Sequence, residues 1–226
     1  MKYQQESIKP YSNEGAKGEQ VERMFDQIAH SYDFLNHTLS LGIDRSWRKA
    51  AIDSLKPYAP QRILDVATGT GDFALMAAER LQPLSLVGAD LSEGMLNVGR
   101  EKVERAGKSD IITMQKEDCM ALSFADNTFD LVFHNGAINF FNDKACAMNE
   151  MLRVAKPGSK ILVADETADF VESQYKKSIF SKSYFEGKTV DLHEMEQCVP
   201  PQAEEKRTEL FWNNRFYGIT FRKSRG

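Results

Sequence analysis

The segment RILDVATGTGDFAL, from Arg62 to Leu75, runs from a short apolar stretch through a glycine-rich turn into a helical pattern. Ile63, Leu64 and Val66 suit a parallel strand covered on both faces. Gly69 and Gly71 allow a tight turn and a close approach of backbone to a ligand, where a Cβ would collide. From Phe73 to Leu81, Ala74, Ala77, Ala78 and Leu81 fall on one helical face. A helix opening under such a loop presents unpaired N–H groups and the positive end of its dipole. The pattern predicts a nucleotide-type cofactor site, although a strand turning into a helix with no ligand reads the same from the loop alone.

The rest of the chain sets this unit in a repeating frame. A helix is expected from Glu19, where Val21, Met24, Phe25, Ile28, Tyr32 and Leu35 recur at helical spacing, and a second from Arg45 to Leu55. Further strands are predicted at Ser85–Asp90, Ile112–Asp118, Phe129–Asn135 and Lys160–Glu166. Ser92 is placed to cap a helix running to about Ala106, and another spans about Asp143 to Val154, stopped by KPGS at Lys156–Ser159. Alternation of this kind gives an α/β fold with a doubly wound, mostly parallel sheet. Beyond it, Phe170–Gly187 reads as weakly helical and Val190–Gln197 as a short helix. Two strand-like arms flank Asn213-Asn214, and the second alternates, so an antiparallel hairpin is expected to close the sheet. The expected division is a flexible tail over 1–18 and a single domain over 19–226. Within that domain, helices at 19–58 cover the cofactor site, 59–166 form the cofactor-binding core, and 167–226 carry a variable segment and the hairpin.

Composition narrows the class. A formal charge of −4 argues against a dedicated nucleic-acid binder, which shows a basic footprint. Cys119, Cys146 and Cys198 form no CxxC pair, which disfavours both a disulfide framework and a structural zinc site, and no metal is expected. The N-terminal stretch lacks the apolar core of a signal peptide, and no apolar run approaches the about 20 residues of a membrane span. A cytoplasmic protein without stable membrane insertion is the expectation.

The loop also satisfies the dinucleotide pattern GxGxx(G/A), and Asp90 follows where an acidic residue binds a ribose in NAD sites and S-adenosylmethionine (SAM) sites alike. Three features favour SAM. Asp65, inside the strand before the loop, can hold loop N–H groups or accept from the ammonium of a methionine moiety, whereas it would repel a pyrophosphate. Asp118 followed by Cys119 can pair a carboxylate and a backbone N–H with an adenine edge. Finally, some sixty residues with two helices precede the first strand, whereas an NAD domain more typically begins with its strand.

Together these residues resemble the class I SAM-dependent methyltransferases. Over about residues 20–166 the chain is most similar to the ubiquinone/menaquinone biosynthesis C-methyltransferase (UbiE-like) family. The similarity lies in VERMFDQIAHSYDFLNHTLSLGIDRSWRKA, ADLSEGML, FADNTFDLV and EMLRVAKPG. It implies a Rossmann-like, seven-stranded, mostly parallel sheet with an antiparallel C-terminal hairpin, with SAM as cofactor and S-adenosylhomocysteine (SAH) as product. It further implies that Gly69, Thr70 and Gly71 approach the methionine part, Asp90 with its neighbour Leu91 the ribose, and Asp118 and Cys119 the adenine. Asn135 falls near the reacting methyl and Tyr32 lines the site, although Tyr32 also fits the apolar helical stripe. His30, His37 and His193 read as surface residues, and His134 as core or cleft with no metal-spaced partner.

The chain departs from the family after the fourth strand, where Asn139 stands in place of an arginine that assists deprotonation, and Asn supplies neither a base nor a permanent charge. Beyond Glu166 the family's usual Pro- and Tyr-rich region has no evident counterpart. The expected activity is methyl transfer to a small aromatic or lipophilic acceptor, a quinone-related one being one option, with Tyr32, Asn135, Asn139 and Glu166 as candidate acceptor neighbours and no assigned catalytic residue. The competing readings are a SAM-binding sensor or scaffold without turnover and an NAD-dependent oxidoreductase.

Overall fold

A computed structural model describes residues 16–40, 43–136, 138–170 and 191–225. Two helices open the chain, α1 (Lys17–Ser40) and α2 (Ile43–Asp53). The alternating core follows as β1 (Arg62–Val66), α3 (Asp72–Leu81), β2 (Ser85–Asp90), α4 (Glu93–Arg105), β3 (Ile112–Lys116), β4 (Phe129–Asn135), α5 (Lys144–Val154) and β5 (Ala155–Glu166). The end is α6 (Leu192–Gln197), β6 (Glu204–Phe211) and β7 (Phe216–Arg222). One seven-stranded sheet runs in the order β3-β2-β1-β4-β5-β7-β6. β7 pairs antiparallel with both neighbours, so it alone opposes the other six strands.

Each face of the sheet carries its own core. Leu64, Val66, Val132, Val163 and Ile219 pack against α5 and α6 on one side. Ile63, Leu131, Phe133 and Leu162 meet α2, α3 and α4 on the other. Strands buried on both faces have no polar side to show, hence the apolar runs in the sequence. β7 shares this burial, Phe216 through Ile219 all being buried, while most of β6 at the sheet edge is exposed. The expected antiparallel hairpin closes the sheet, with its second arm largely buried. β7 lies inside the sheet, and charged β6 covers its open edge.

Local signals explain most boundaries. The Ser92 hydroxyl accepts from the Met95 N–H at 3.1 Å and Asp143 from the Cys146 N–H at 2.8 Å, fixing the starts of α4 and α5. α1 begins at Lys17, inside the expected tail, with Lys17 and Gln20 buried. KPGS does follow the end of α5, but it belongs to β5. The strand pairs Ala155 with Phe129, and its register then shifts so that Lys160 faces Leu131. Most of the helix expected over Phe170–Gly187 lies outside the described residues.

Candidate functional site

The glycine loop leaves β1 through alternating left-handed residues, with φ of 56° at Ala67, 58° at Gly69 and 78° at Gly71. Ala67 carries a Cβ in this region, a conformation that costs about 1–2 kcal/mol and is held by the surrounding packing. Asp90, at the end of β2, grips the loop. One carboxylate oxygen accepts the Gly69 N–H at 2.8 Å and the other the Ser92 N–H at 2.9 Å. Burial raises the Asp90 pKa above the usual carboxylate value, against the pull of those N–H bonds.

Two adjoining pockets open over these strand ends and share Tyr32, Ala67 and Gly69. The first is roofed by α1 through Val21 and Phe25 and floored by the ends of β1, β2 and β3. Asp90, Leu91, Asp118 and Cys119 all line it, so the two acidic strand ends face one crevice. Its space, counted out into the open mouth, is about 810 Å³. Asp118 accepts the Met120 N–H at 2.9 Å, and burial pushes the Cys119 thiol up, so Cys119 offers a neutral side chain. Phe25 meets Tyr32 and Phe140 edge to face, at 6.1 and 5.3 Å between centroids, forming an aromatic wall.

The second pocket is polar and includes Arg48, Asp65, Thr68, Asp72 and Asn135. Asp65 is 1% exposed, and its Oδ2 accepts from the Thr68 hydroxyl at 2.7 Å. Its Oδ1 and the Asn135 Oδ1 are buried acceptors with no hydrogen-bond partner among the described residues. Burial raises the Asp65 pKa to about 8, with the nearby Asp90 charge adding to the effect. A buried carboxylate and amide oxygen left with open lone pairs call for donors and positive charge. The ammonium of a methionine moiety supplies both, and a pyrophosphate neither.

Thr70, which also lines the second pocket, is held by a side-chain network, and Gly71 lies outside both linings. The Thr70 hydroxyl donates to Asp33 at 2.5 Å and accepts from Lys102 at 3.2 Å, while Lys102 also reaches Asp33 at 2.8 Å and Asp72. This network ties the loop to α1, α3 and α4. Gly71 lines neither pocket; a Cβ there would stand 3.2 Å from Met114 Cε, so its bareness serves packing beneath the loop. Asp26, Asp33, Arg48 and Lys102 were not singled out from the sequence, although Asp26 and Asp33 sit in the MFD and YD steps of α1.

Other candidates resolve by position. His134 is fully buried, its Nδ1 lying 2.8 Å from the Val66 carbonyl, with the ring against Phe141. It is a core residue. His30 and His193 are exposed, while the side chains of His37 and Asn139 lie outside what is described. Glu166 ends β5, where burial and the adjacent Asp165 raise its pKa to about 7. Among the described residues no cluster of His, Cys, Asp and Glu could hold a metal, and no helix is long and apolar enough to cross a membrane.

Residues 13–189 match the ubiE/COQ5 methyltransferase family, a wider span than the quoted motifs cover, reaching past Glu166. A demethylmenaquinone methyltransferase of Bacteroides fragilis is 55% identical over 183 residues, 80% of this chain and 75% of the relative. A ubiquinone/menaquinone biosynthesis C-methyltransferase UbiE of Geotalea daltonii is 45% identical over 151 residues, 66% of this chain and 64% of the relative. A solved putative SAM-dependent methyltransferase from Methanococcus maripaludis shares the fold at a TM-score of 0.70, with 20% identity over 88% of this chain and 93% of its own. The expected class I fold is present, SAM is the cofactor, and the dinucleotide and non-catalytic readings fall away. The chain is a member of the ubiE/COQ5 family and a SAM-dependent methyltransferase.

Proposed function

We propose that this protein C-methylates the ring of a reduced, quinone-related acceptor, in the manner the names of its relatives describe, and does so in the cytoplasm without a nucleic-acid partner. The observation that carries the site assignment is the pair of buried, unpartnered acceptors, Asp65 Oδ1 and Asn135 Oδ1, beside a crevice lined by Asp90 and Asp118.

SAM supplies an electrophilic methyl on a cationic sulfur, and the protein's part is to hold the reactants in line, which alone lowers the barrier by several kcal/mol. Asp118 and Cys119 take the adenine edge, Asp90 and Leu91 the ribose, and Asp65 the ammonium, with Gly69 letting the chain pass close. Tyr32 spans the junction of the two pockets and Asn135 stands at the end of β4, which supports assigning both to the neighbourhood of the transferred methyl. The aromatic wall of Phe25, Tyr32 and Phe140 suits a flat ring.

The test is incubation of the purified protein with SAM and a chemically reduced, prenylated naphthoquinone lacking the ring methyl. A product heavier by one methylene unit, with the new carbon on the ring, is expected. No ring methylation of that quinol, with SAH binding intact, overturns the acceptor assignment while leaving the methyltransferase in place.

A further inference from the structure

We propose that Glu166 is a catalytic residue, the base that takes the proton from the ring hydroxyl of the acceptor as the neighbouring ring carbon attacks. The inference rests on the quinol reading and deepens it by assigning the proton path.

The topology brings Glu166 to the right place. Asp65 on β1 is level with Phe133 on β4, which is level with Leu162 on β5, and Asn135 is level with Ala164. Since alternate residues share a face, Asp65, Asn135 and Glu166 climb one face of three adjacent strands like steps. Glu166 lies two residues beyond Ala164, which puts its Cα about 8 Å from that of Asn135 by strand geometry. Asp65 and Asn135 carry the buried oxygens of the second pocket that have no hydrogen-bond partner among the described residues, and Glu166, which lines neither pocket, stands one step further out on the same face.

Neighbouring groups are otherwise occupied. Asp165 turns to the opposite face, where its Oδ2 accepts the Ile138 N–H at 2.9 Å, and its Oδ1 takes the Glu166 N–H at 2.7 Å. Both its oxygens therefore serve the backbone. His134 is sealed in the core by Val66 and Phe141. Asn139, next along the turn after Ile138, has no basic group.

Two charges act on Glu166, Asp165 beside it on β5 and the Arg48 guanidinium from α2. Arg48 also acts electrostatically on Asp65, lines the second pocket and ion-pairs with Asp72 at 3.7 Å. Burial leads in lifting Glu166 to about 7, Asp165 adds to it, and Arg48 opposes. A base that titrates near neutrality is half ionised where it must work.

The step balances as follows. The acceptor O–H bond breaks and its proton goes to the Glu166 carboxylate. The freed pair drives the ring carbon onto the methyl, and the C–S pair remains on sulfur. Loss of the ring proton to solvent and return of the Glu166 proton to oxygen restore the aromatic quinol, with one proton released per turnover.

The experiment compares wild type with Glu166→Gln and Glu166→Asp, using SAM and the reduced naphthoquinone, and in parallel the SAH complex with a redox-stable naphthol. Glu166→Gln is expected to bind SAH within threefold of wild type and to lose about 10²–10⁴-fold in kcat. It should also lose the rising limb of the kcat–pH profile that wild type shows near pH 7, while Glu166→Asp retains that limb. Without turnover, the affinity of the SAH complex for the naphthol, whose O–H would donate to the Glu166 carboxylate, should rise with pH through the same range in wild type and not in Glu166→Gln. A more acidic naphthol should recover at least tenfold of the lost rate, which a merely structural defect would not allow. Glu166→Gln within threefold of wild-type kcat, or with the pH limb and the pH dependence of naphthol affinity unchanged, overturns the proposal. Wild type inactive on the quinol overturns the acceptor reading and this inference together.

Discussion

A Cβ built on Gly94 would stand 2.9 Å from the Cα of Asp26, so α1 lies against the first turn of α4 with no room for a side chain between them. The contact is locked by Asp26, whose Oδ1 accepts the Ser92 hydroxyl at 2.6 Å and the Gly94 N–H at 2.9 Å. Because α1 supplies Val21, Phe25 and Tyr32 to the first pocket, this docking sets the height of the cleft roof. Gly94→Ala should push the helices apart, costing about 1–3 kcal/mol in urea unfolding and, since the roof lifts, more than tenfold in SAH affinity. Wild-type values for both by titration calorimetry and denaturation would show that α1 is not held there.

Asp65 predicts a link between ligand binding and protons. Its pKa in the unliganded protein is raised to about 8, chiefly by burial, against about 3.9 in the unfolded chain. Between those values the folded state holds a proton that the unfolded state has released, so this group erodes stability as pH rises from about 4 to 8. An ammonium brought beside Asp65 favours the ionised form. SAH binding near pH 6.5 should therefore release close to one proton, and affinity should climb towards pH 8 and then level. Calorimetry in buffers of different ionisation heat measures this directly. Asp65→Asn should stabilise the unliganded protein at pH 8 and abolish the proton release. Release that persists in the variant would assign it to another group.

The Lys102 ammonium joins four elements, contacting Asp33 on α1, Thr70 in the loop and Asp72 at the start of α3 from its own place on α4. Lys102→Met should leave two carboxylates facing each other and destabilise by about 1–2 kcal/mol, less than for a fully buried pair because these side chains keep partial water access. Adding Asp33→Asn should return part of that loss, a coupling that a double-mutant cycle reads out. Additive effects would mean that the cluster is ornamental to stability.

How far these features were legible depends on the range of the interaction that creates them. The strand from Ile63 to Val66, the turn at Gly69 and the Ser92 cap are decided within a few residues, and they appear where the sequence puts them. Asp90 and Asp118 could be paired in advance because parallel strands in a doubly wound sheet all deliver their ends to one edge. The Lys102–Asp33 contact joins residues 69 apart, and no local pattern distinguishes it from a solvated helix face. Thr70 and Gly71 read as ligand contacts in the string; the fold adds that Thr70, while lining the second pocket, also anchors the loop to α1 and α4, and that Gly71 packs over Met114. The hairpin at Asn213-Asn214 was legible in the same local way, whereas the burial of β7 follows from its insertion between β5 and β6, a long-range pairing that no local pattern shows.

His134 makes an acid-side prediction of opposite sign to that of Asp65. Its ring is fully buried, with Nδ1 2.8 Å from the Val66 carbonyl, so the Nδ1–H tautomer donates there and Nε2 is left as a buried atom without a partner. Protonating Nε2 would bury a cation with nothing to accept its second proton, and burial holds the pKa down at about 4. The unfolded value is about 6.5, so between the two the unfolded chain binds the extra proton. The contribution of neutral His134 is complete above pH 6.5 and drains away as pH falls towards 4. His134→Asn, which can keep an N–H near Val66 but does not titrate there, should be less stable than wild type at pH 7. The gap should narrow by roughly 2 kcal/mol by pH 4.5, read from urea denaturation across that range. Because Asp65, Asp165 and Glu166, raised to about 8, 6 and 7, push the other way in both proteins, they cancel in the difference. Parallel curves for the two proteins would mean that the imidazole is not the titrating group.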